Sequence, residues 1–252
     1  MDNPIRLHWL DPKDPAQPFP SPGRALRDPD GLLAIGGDLS VARLLRAYRQ
    51  GIFPWFNPDE PILWWSPDPR TVLPSEGMHV SRSLRRVVAR ADYAVSFNRA
   101  PDAVMAACSA PREPGQGTWL GLQMRRAYRA LFDAGALTSV EIWREGQLIG
   151  GVYGVTIGAM VFGESMFSRA DNASKIALFW LTRYMRENAM PMLDCQVGSP
   201  HLATLGAVGL PRAQFIDAIR PLCDTAAPCW TVPDEAPQSP SHLPSSHLPE
   251  PC

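Results

Sequence analysis

Two segments carry side chains placed for chemistry: Phe162-Gly163-Glu164-Ser165-Met166-Phe167-Ser168 and Met192-Leu193-Asp194-Cys195-Gln196. Each sets a carboxylate in a largely apolar run that reads as a buried strand. A charge there is costly unless it is paired or hydrogen-bonded. Alternation along a strand puts Asp194 and Gln196 on one face, a way of flooring a polar pocket. The alternative for either carboxylate taken alone is a structural hydrogen-bond network. Two such strands close together in sequence favour a site. Cys195 should point to the opposite face and pack as core, like other free cysteines. A Cys195–His201 nucleophile would need that thiol to face the pocket, against the alternation.

The elements that must hold these residues follow from the pattern around them. The first seventy residues are dense in Pro and Trp, which forbids long helices and central strands. One short helix fits, from about Val41 to Gln50, with Ser40 as its cap and Gly51 as its stop. Helices are expected at Arg82–Ala91 behind Ser81, from Pro101, and over about Leu122–Ala134. The period then changes to two. Thr138–Arg144, Leu148–Thr156 and Ala159–Glu164 read as a three-strand meander turning at Glu145-Gly146 and Ile157-Gly158. Gly150, Gly151 and Gly154 suggest a bulge or the close approach of a ligand to the backbone. A long helix at Ala173–Glu187, a fourth strand at Pro191–Val197 and a last helix near Pro211 complete the pattern. The expectation is an α/β (α+β) chain with three parts. Residues 1–69 form a small irregular domain, residues 70–225 an acetyltransferase-like domain whose sheet opens at a splayed strand, and residues 226–252 a Pro/Ser-rich disordered tail.

Composition narrows the function classes. No run of about 18 apolar residues indicates a membrane span, and the start lacks the build of a secretion signal, so a cytoplasmic protein is expected. The five cysteines are odd in number and none sit as C-x-x-C, which fits neither a disulfide framework nor a zinc site. Net charge is −1, yet nine arginines face only three acids between Arg82 and Arg129. Arginine forks suit phosphate, so Arg82, Arg85, Arg86, Arg90, Arg125 and Arg126 are candidates for a nucleic-acid backbone; a solvated helix face is the alternative.

Several longer segments then occur in order: Phe19-Pro20-Ser21-Pro22, Asp30 to Leu39, Gly51-Ile52-Phe53-Pro54-Trp55-Phe56, Leu63 to Arg70, Gly117-Thr118-Trp119, Gly163 to Ser168, Asn172-Ala173-Ser174-Lys175, Asp194-Cys195-Gln196 and Leu205-Gly206-Ala207. Together they resemble the leucyl/phenylalanyl-tRNA–protein transferase family from about Phe19 to Ile219. The resemblance implies transfer of Leu or Phe, less well Met, from aminoacyl-tRNA to the α-amino group of proteins beginning with Arg or Lys, marking them for N-degron proteolysis. Neither metal nor cofactor is implied, since the ester donor is already activated. A monomer acting on aminoacyl-tRNA and an acceptor protein, away from membranes, is expected. Gln196 would position the amine. Asp194 would orient Gln196 and stabilise developing positive charge, and Glu164 would bind the amine or the basic acceptor residue. Trp55 and Trp119, supported by Tyr48 and Tyr128, would stack the terminal adenine. Val152, Val161, Leu178, Leu181 and Leu193 would line an apolar side-chain pocket. Ser199-Pro200 before His201 and Thr204 before Leu205 depart from the family pattern and leave the role of His201 open. The rivals are an acetyl-CoA-dependent N-acetyltransferase, disfavoured because Ser168 to Lys175 contains no glycine for a pyrophosphate loop, and a non-catalytic RNA-binding module.

Overall fold

The structure, a computed structural model, describes residues 7–110 and 118–237. The Pro-rich start builds a small sheet from short strands, β1 (His8–Leu10), β2 (Leu32–Gly36), β3 (Phe53–Pro54) and β4 (Leu63–Trp65), in the order β1-β2-β4-β3. Helix α1 (Val41–Arg49) lies between β2 and β3. The Ser40 side chain accepts from the Arg43 amide at its start, and Gly51 follows in the left-handed region at φ 71°.

The chain enters the large sheet at β5 (Arg70–Pro74). Then come α2 (Arg82–Arg90), β6 (Ala94–Phe97), α3 (Pro101–Cys108), α4 (Leu122–Asp133), β7 (Leu137–Arg144), β8 (Gln147–Ile157) and β9 (Met160–Ser168). Helix α5 (Ala173–Glu187), β10 (Met192–Gln196), α6 (Pro200–Thr204), β11 (Val208–Leu210) and α7 (Arg212–Cys223) complete the order. The meander and the Ala173–Glu187 helix are as the periodicity indicates. Strands β1 to β6 and β11 are not marked by it, being short or interrupted by Pro, Gly or isolated polar residues.

The sheet runs β11-β5-β10-β9-β8-β7-β6. Its neighbours are antiparallel except β9 and β10, which are parallel and share register only at Leu193↔Val161 and Asp194↔Phe162. Past those pairs the two strands part. This is the splay expected of an acetyltransferase-like sheet, and it opens beside Glu164 and Gln196. Alternation sends successive side chains to two separate cores. Val72, Tyr153 and Phe162 pack with α1, α3, α4 and α7, while Leu73, Val152 and Val161 pack with α2 and α5.

Gly150 is needed for the second of these layers. A Cβ there would stand 2.5 Å from the Ala173 Cβ and 2.8 Å from the Ala173 carbonyl carbon, so the close approach is by the start of α5. Gly150→Ala is expected to lower unfolding free energy by about 1–3 kcal/mol, measured by denaturant titration, because neither helix nor strand backbone can move aside cheaply.

The boundary expected at residue 226 is redrawn. Residues 226–237 pack along α5 and β6: the Trp230 ring stacks on Tyr184 at 4.5 Å, and Ala236 is buried. Residues 238–252 lie outside the described residues. Among the described residues no helix is long and apolar enough to cross a membrane.

Candidate active site

Two β-bulges face one another at the splay. On β9, Tyr153 and Gly154 of β8 pair with Ser165 and Gly163, so Glu164 is the extra residue. On β10, Val72 and Thr71 of β5 pair with Asp194 and Gln196, so Cys195 is the extra residue. A Cβ on Gly154 would stand 2.5 Å from the Phe162 carbonyl oxygen, which explains why glycine sits opposite the first bulge. Gln196 holds a left-handed backbone, φ 55°, uncommon for a side chain of its size and fixed here by contacts on both sides.

The second bulge changes the reading of Asp194. Its side chain is fully buried beneath the site, paired bidentately with Arg70: Nε donates to Oδ1 at 2.8 Å and Nη2 to Oδ2 at 2.7 Å. Arg70 also donates through Nη1 to the Gly51 carbonyl at 3.0 Å and lies over the Phe53 and Phe215 rings. Asp194 Oδ1 accepts from the Gln196 amide at 2.9 Å. Asp194 therefore orients the backbone of Gln196 rather than its side chain, and its charge is answered by Arg70. Cys195 packs against the second core, on the side away from Asp194 as alternation predicts, and it also reaches the cavity wall. Its thiol is pushed up to about 12 by burial, reinforced by the Asp194 charge, which makes it a poor nucleophile.

Glu164 is the acid of the cavity. Tyr48 donates to Oε1 at 2.7 Å, Tyr128 to Oε2 at 2.5 Å, and Gln196 Nε2 to Oε1 at 3.2 Å. These three bonds occupy three of a carboxylate's roughly four lone-pair sites. Burial pushes the Glu164 carboxyl up to about 7, opposed by the two tyrosine hydrogen bonds. Tyr48 and Tyr128 are fully buried, so they cannot stand beside a stacked base as expected; they hold Glu164. Their own hydroxyls are raised well above the usual tyrosine range, by burial first and the Glu164 charge second, so they stay protonated donors.

Two cavities meet on Trp119, Glu164, Cys195, Gln196 and Ser199. The larger, ≈ 590 Å³, has apolar walls from Val152, Met166, Leu178, Leu193 and Leu202. The other, ≈ 380 Å³, is bounded by Phe53, Pro54, Trp55 and Val197. Trp55 is 45% exposed and makes an edge contact with Trp65 at 5.7 Å. Of the five residues expected around an apolar pocket, Val152, Leu178 and Leu193 line it. Val161 and Leu181 are buried core instead, since they point into the packing between the sheet and α5. Met166 and Leu202 were missed. Met166 stands two residues after Glu164 on the strand facing Val152, a spacing that could have marked it.

The arginines also separate. Arg82, Arg85, Arg86 and Arg90 lie on α2, whose Leu84 joins the α5 core. Arg125 and Arg126 lie on α4, whose Met124 and Tyr128 join the opposite core. Clustering in sequence therefore does not make one patch, because the sheet stands between the two helices. Among the described residues no group of three or more His, Cys, Asp or Glu is placed to hold a metal ion.

Comparison with known proteins adds a family match. Residues 72–220 match the model described as Leucyl/phenylalanyl-tRNA protein transferase, and residues 37–68 match that of its N-terminal domain. A leucyl/phenylalanyl-tRNA–protein transferase of Thiobacillus denitrificans is 55% identical over 197 residues, covering 78% of this chain and 86% of the relative. One of Alkalilimnicola ehrlichii is 49% identical over 212 residues, covering 84% and 82%. One of Yersinia pestis is 50% identical over 214 residues, covering 84% and 90%.

Proposed function

The chain belongs to the leucyl/phenylalanyl-tRNA–protein transferase family, and from that premise we propose that it moves Leu or Phe, less well Met, from aminoacyl-tRNA to the α-amino group of a protein beginning with Arg or Lys. The product then carries a destabilising N-terminal residue. The observation that carries this reading is the meeting of two cavities on Glu164 and Gln196, one walled by apolar side chains and one edged by an exposed indole.

The donor side chain occupies the apolar cavity among Val152, Met166, Leu178 and Leu193. Discrimination there is modest per methylene, which fits tolerance of both Leu and Phe. The terminal adenine stacks on Trp55 and Trp119 across the second cavity; a stacked base contributes about 1–3 kcal/mol. Acceptor-stem phosphates lie on Arg125 and Arg126 of α4, the helix that follows Trp119, holding backbone without reading sequence; Arg82, Arg85, Arg86 and Arg90, across the sheet on α2, are left out of that contact. The ester and the amine are thereby held side by side, the proximity that lowers the barrier most.

One proton must move. The attacking α-amine has an ordinary value near 8. Gln196 spends its amide N–H on Glu164, which leaves its carbonyl oxygen to accept from the amine. Glu164, with its carboxyl pushed up to about 7, lies close enough in strength to take the amine's proton through its remaining lone pair. Asp194 acts beneath them as a positioning residue. The tetrahedral centre forms as the amine nitrogen attacks the ester carbonyl, and it collapses by expelling the ribose oxygen, which takes up a proton.

The reading supports a cytoplasmic, monomeric enzyme needing neither metal nor cofactor. It is tested by mixing the purified protein with tRNA carrying labelled Phe and a peptide beginning with Arg. Label should enter the peptide, and a peptide beginning with Ala should stay blank. Transfer of acetyl from labelled acetyl-CoA to the Arg peptide would instead favour the acetyltransferase alternative.

A further inference from the structure

Helix α4 carries two stripes. Met124, Ala127, Tyr128 and Leu131 face the core, while Leu122, Arg125, Arg126 and Arg129 recur at i, i+3, i+4 and i+7 on another side. That second stripe borders a groove of ≈ 380 Å³ between α3 and α4, floored by buried Met105. Arg129 is spent at one end, on Asp102 at 2.6 Å and Asp133 at 2.9 Å. Arg125 and Arg126 form no ion pair among the described residues, and Leu122 is 56% exposed. The exposed leucine does not stand alone. Of the five large apolar side chains exposed among the described residues, Trp55 and Val197 edge the second cavity of the candidate site and Leu122 edges the groove. The two hollows are joined at Trp119, which lines the cavity. Its carbonyl accepts from the Gly121 amide at 2.9 Å, and the Gly121 carbonyl accepts from the Arg125 amide at 3.0 Å. Pro58, from the loop after Trp55, lies so close that a Cβ on Gly121 would stand 3.1 Å from its Cγ. Apolar platforms and cations thus alternate along one surface, as an unpaired nucleic-acid strand requires.

We propose that the α3–α4 groove is a second nucleotide site, taking the nucleotide that precedes the terminal adenosine of the donor, with its base on Leu122 and Met105 and its phosphates on Arg125 and Arg126. The proposal rests on the placing of the adenosine at Trp55 and Trp119 and of the tRNA backbone on α4, and it resolves that contact to the unpaired end of the tRNA. Arginine forks take phosphate bidentately. Helix α4 rises 1.5 Å per residue, so Arg125 and Arg126 stand about 5–6 Å along the axis beyond Leu122, a distance that one nucleotide spans. Charge excludes the acceptor from the groove, because a chain beginning with Arg or Lys is repelled by the two free guanidinium groups.

The test measures binding of two probes to the full chain, adenosine and the dinucleotide cytidylyl-adenosine, by quenching of tryptophan fluorescence or by calorimetry. The dinucleotide should bind about tenfold more tightly or better. Its affinity should fall about threefold between about 50 and 200 mM salt, the dependence that one phosphate gives on a single strand, while that of adenosine stays level. Leu122→Asp, at an exposed position outside the core, should keep adenosine binding, which reports an intact fold, and lose most of the dinucleotide's gain. Arg125→Gln with Arg126→Gln should lose the salt dependence. Neither probe is transferred, so the outcomes separate. A protein that transfers no Phe yet shows the gain loses the function proposed above and keeps the groove; one that transfers Phe without the gain loses the groove alone. Equal affinity for both probes in the wild type overturns the proposal. So does a gain that survives Leu122→Asp; its loss in Arg82→Gln with Arg86→Gln would then carry the strand along α2, on the other face of the sheet.

Discussion

Replacing Asp194 by Ala is expected to lower unfolding free energy by about 3–5 kcal/mol, because it strands the Arg70 guanidinium in a site that is 1% exposed. Arg70 keeps only the Gly51 carbonyl and two aromatic faces, which cannot replace a bidentate carboxylate. Arg70→Ala should cost a similar amount by stranding Asp194. Both partners belong to the large sheet, and Arg70 ties it to the N-terminal part through the Gly51 carbonyl after α1 and the Phe53 ring of β3. Stability alone does not separate this role from one in transfer. The double variant Arg70→Met with Asp194→Leu does, because apolar replacement of a buried pair is often neutral. Denaturant titration should return it to near the wild-type stability. Its transfer rate should nevertheless stay down by about 10²-fold, since the Gln196 amide has lost the acceptor that holds its left-handed backbone. A double variant with both stability and transfer restored would remove Asp194 from any part in positioning Gln196.

The same pair marks where the sequence could be read and where it could not. Glu164 and Gln196 stand out as polar groups in apolar strands, and they do face one another across the splay. Period-two reasoning sets Cys195 across the strand from Asp194, as found, but it does not foresee the Arg70 partner of Asp194 or the bulge on β10, which has no glycine to signal it. The first bulge is different: Gly154 and Gly163 flank it, and the glycine-rich strand is legible as irregular. Tyr48 and Tyr128 are visible as apolar stripe residues of two helices, but their hydroxyls meet at Glu164 from 116 and 36 residues away, which only the tertiary fold brings about. Arg70 had a signal that was passed over, a lone cation opening the run Thr71-Val72-Leu73, which must find a carboxylate if that run is buried. The arginines and the segment after residue 226 fail for opposite reasons. Charge density says nothing of which sheet face a helix occupies. A Pro-rich stretch too poor in apolar residues to build a core can still be held by a core already present, through one indole and a few backbone hydrogen bonds.

Glu164→Gln should cost transfer about 10²–10⁴-fold while leaving binding of the aminoacyl-tRNA close to wild type, because the amide keeps the shape of the cavity but cannot take a proton. The pH profile carries the sharper signature. With the Glu164 carboxyl pushed up to about 7, the wild-type rate should climb as pH rises through that value, on top of the rise from deprotonation of the amine near 8. Only the second rise should remain in Glu164→Gln. Tyr128→Phe removes a donor that favours the charged carboxylate, so the lower limb should move to higher pH and the rate near neutrality should fall, although the hydroxyl itself never meets substrate. Tyr48→Phe should act in the same direction, through Oε1. Stability changes with the opposite sign. The folded state holds the Glu164 proton up to about pH 7, while the unfolded chain releases it near 4.5, so this group's contribution falls as pH rises between those values and is level above them. Glu164→Gln should lessen that slope in denaturant titrations at pH 5 and pH 8 and leave the share of Glu141, a buried carboxyl also pushed up to about 7. A variant that keeps the whole slope and the lower limb would assign both to another group and leave Glu164 without a role in the proton transfer.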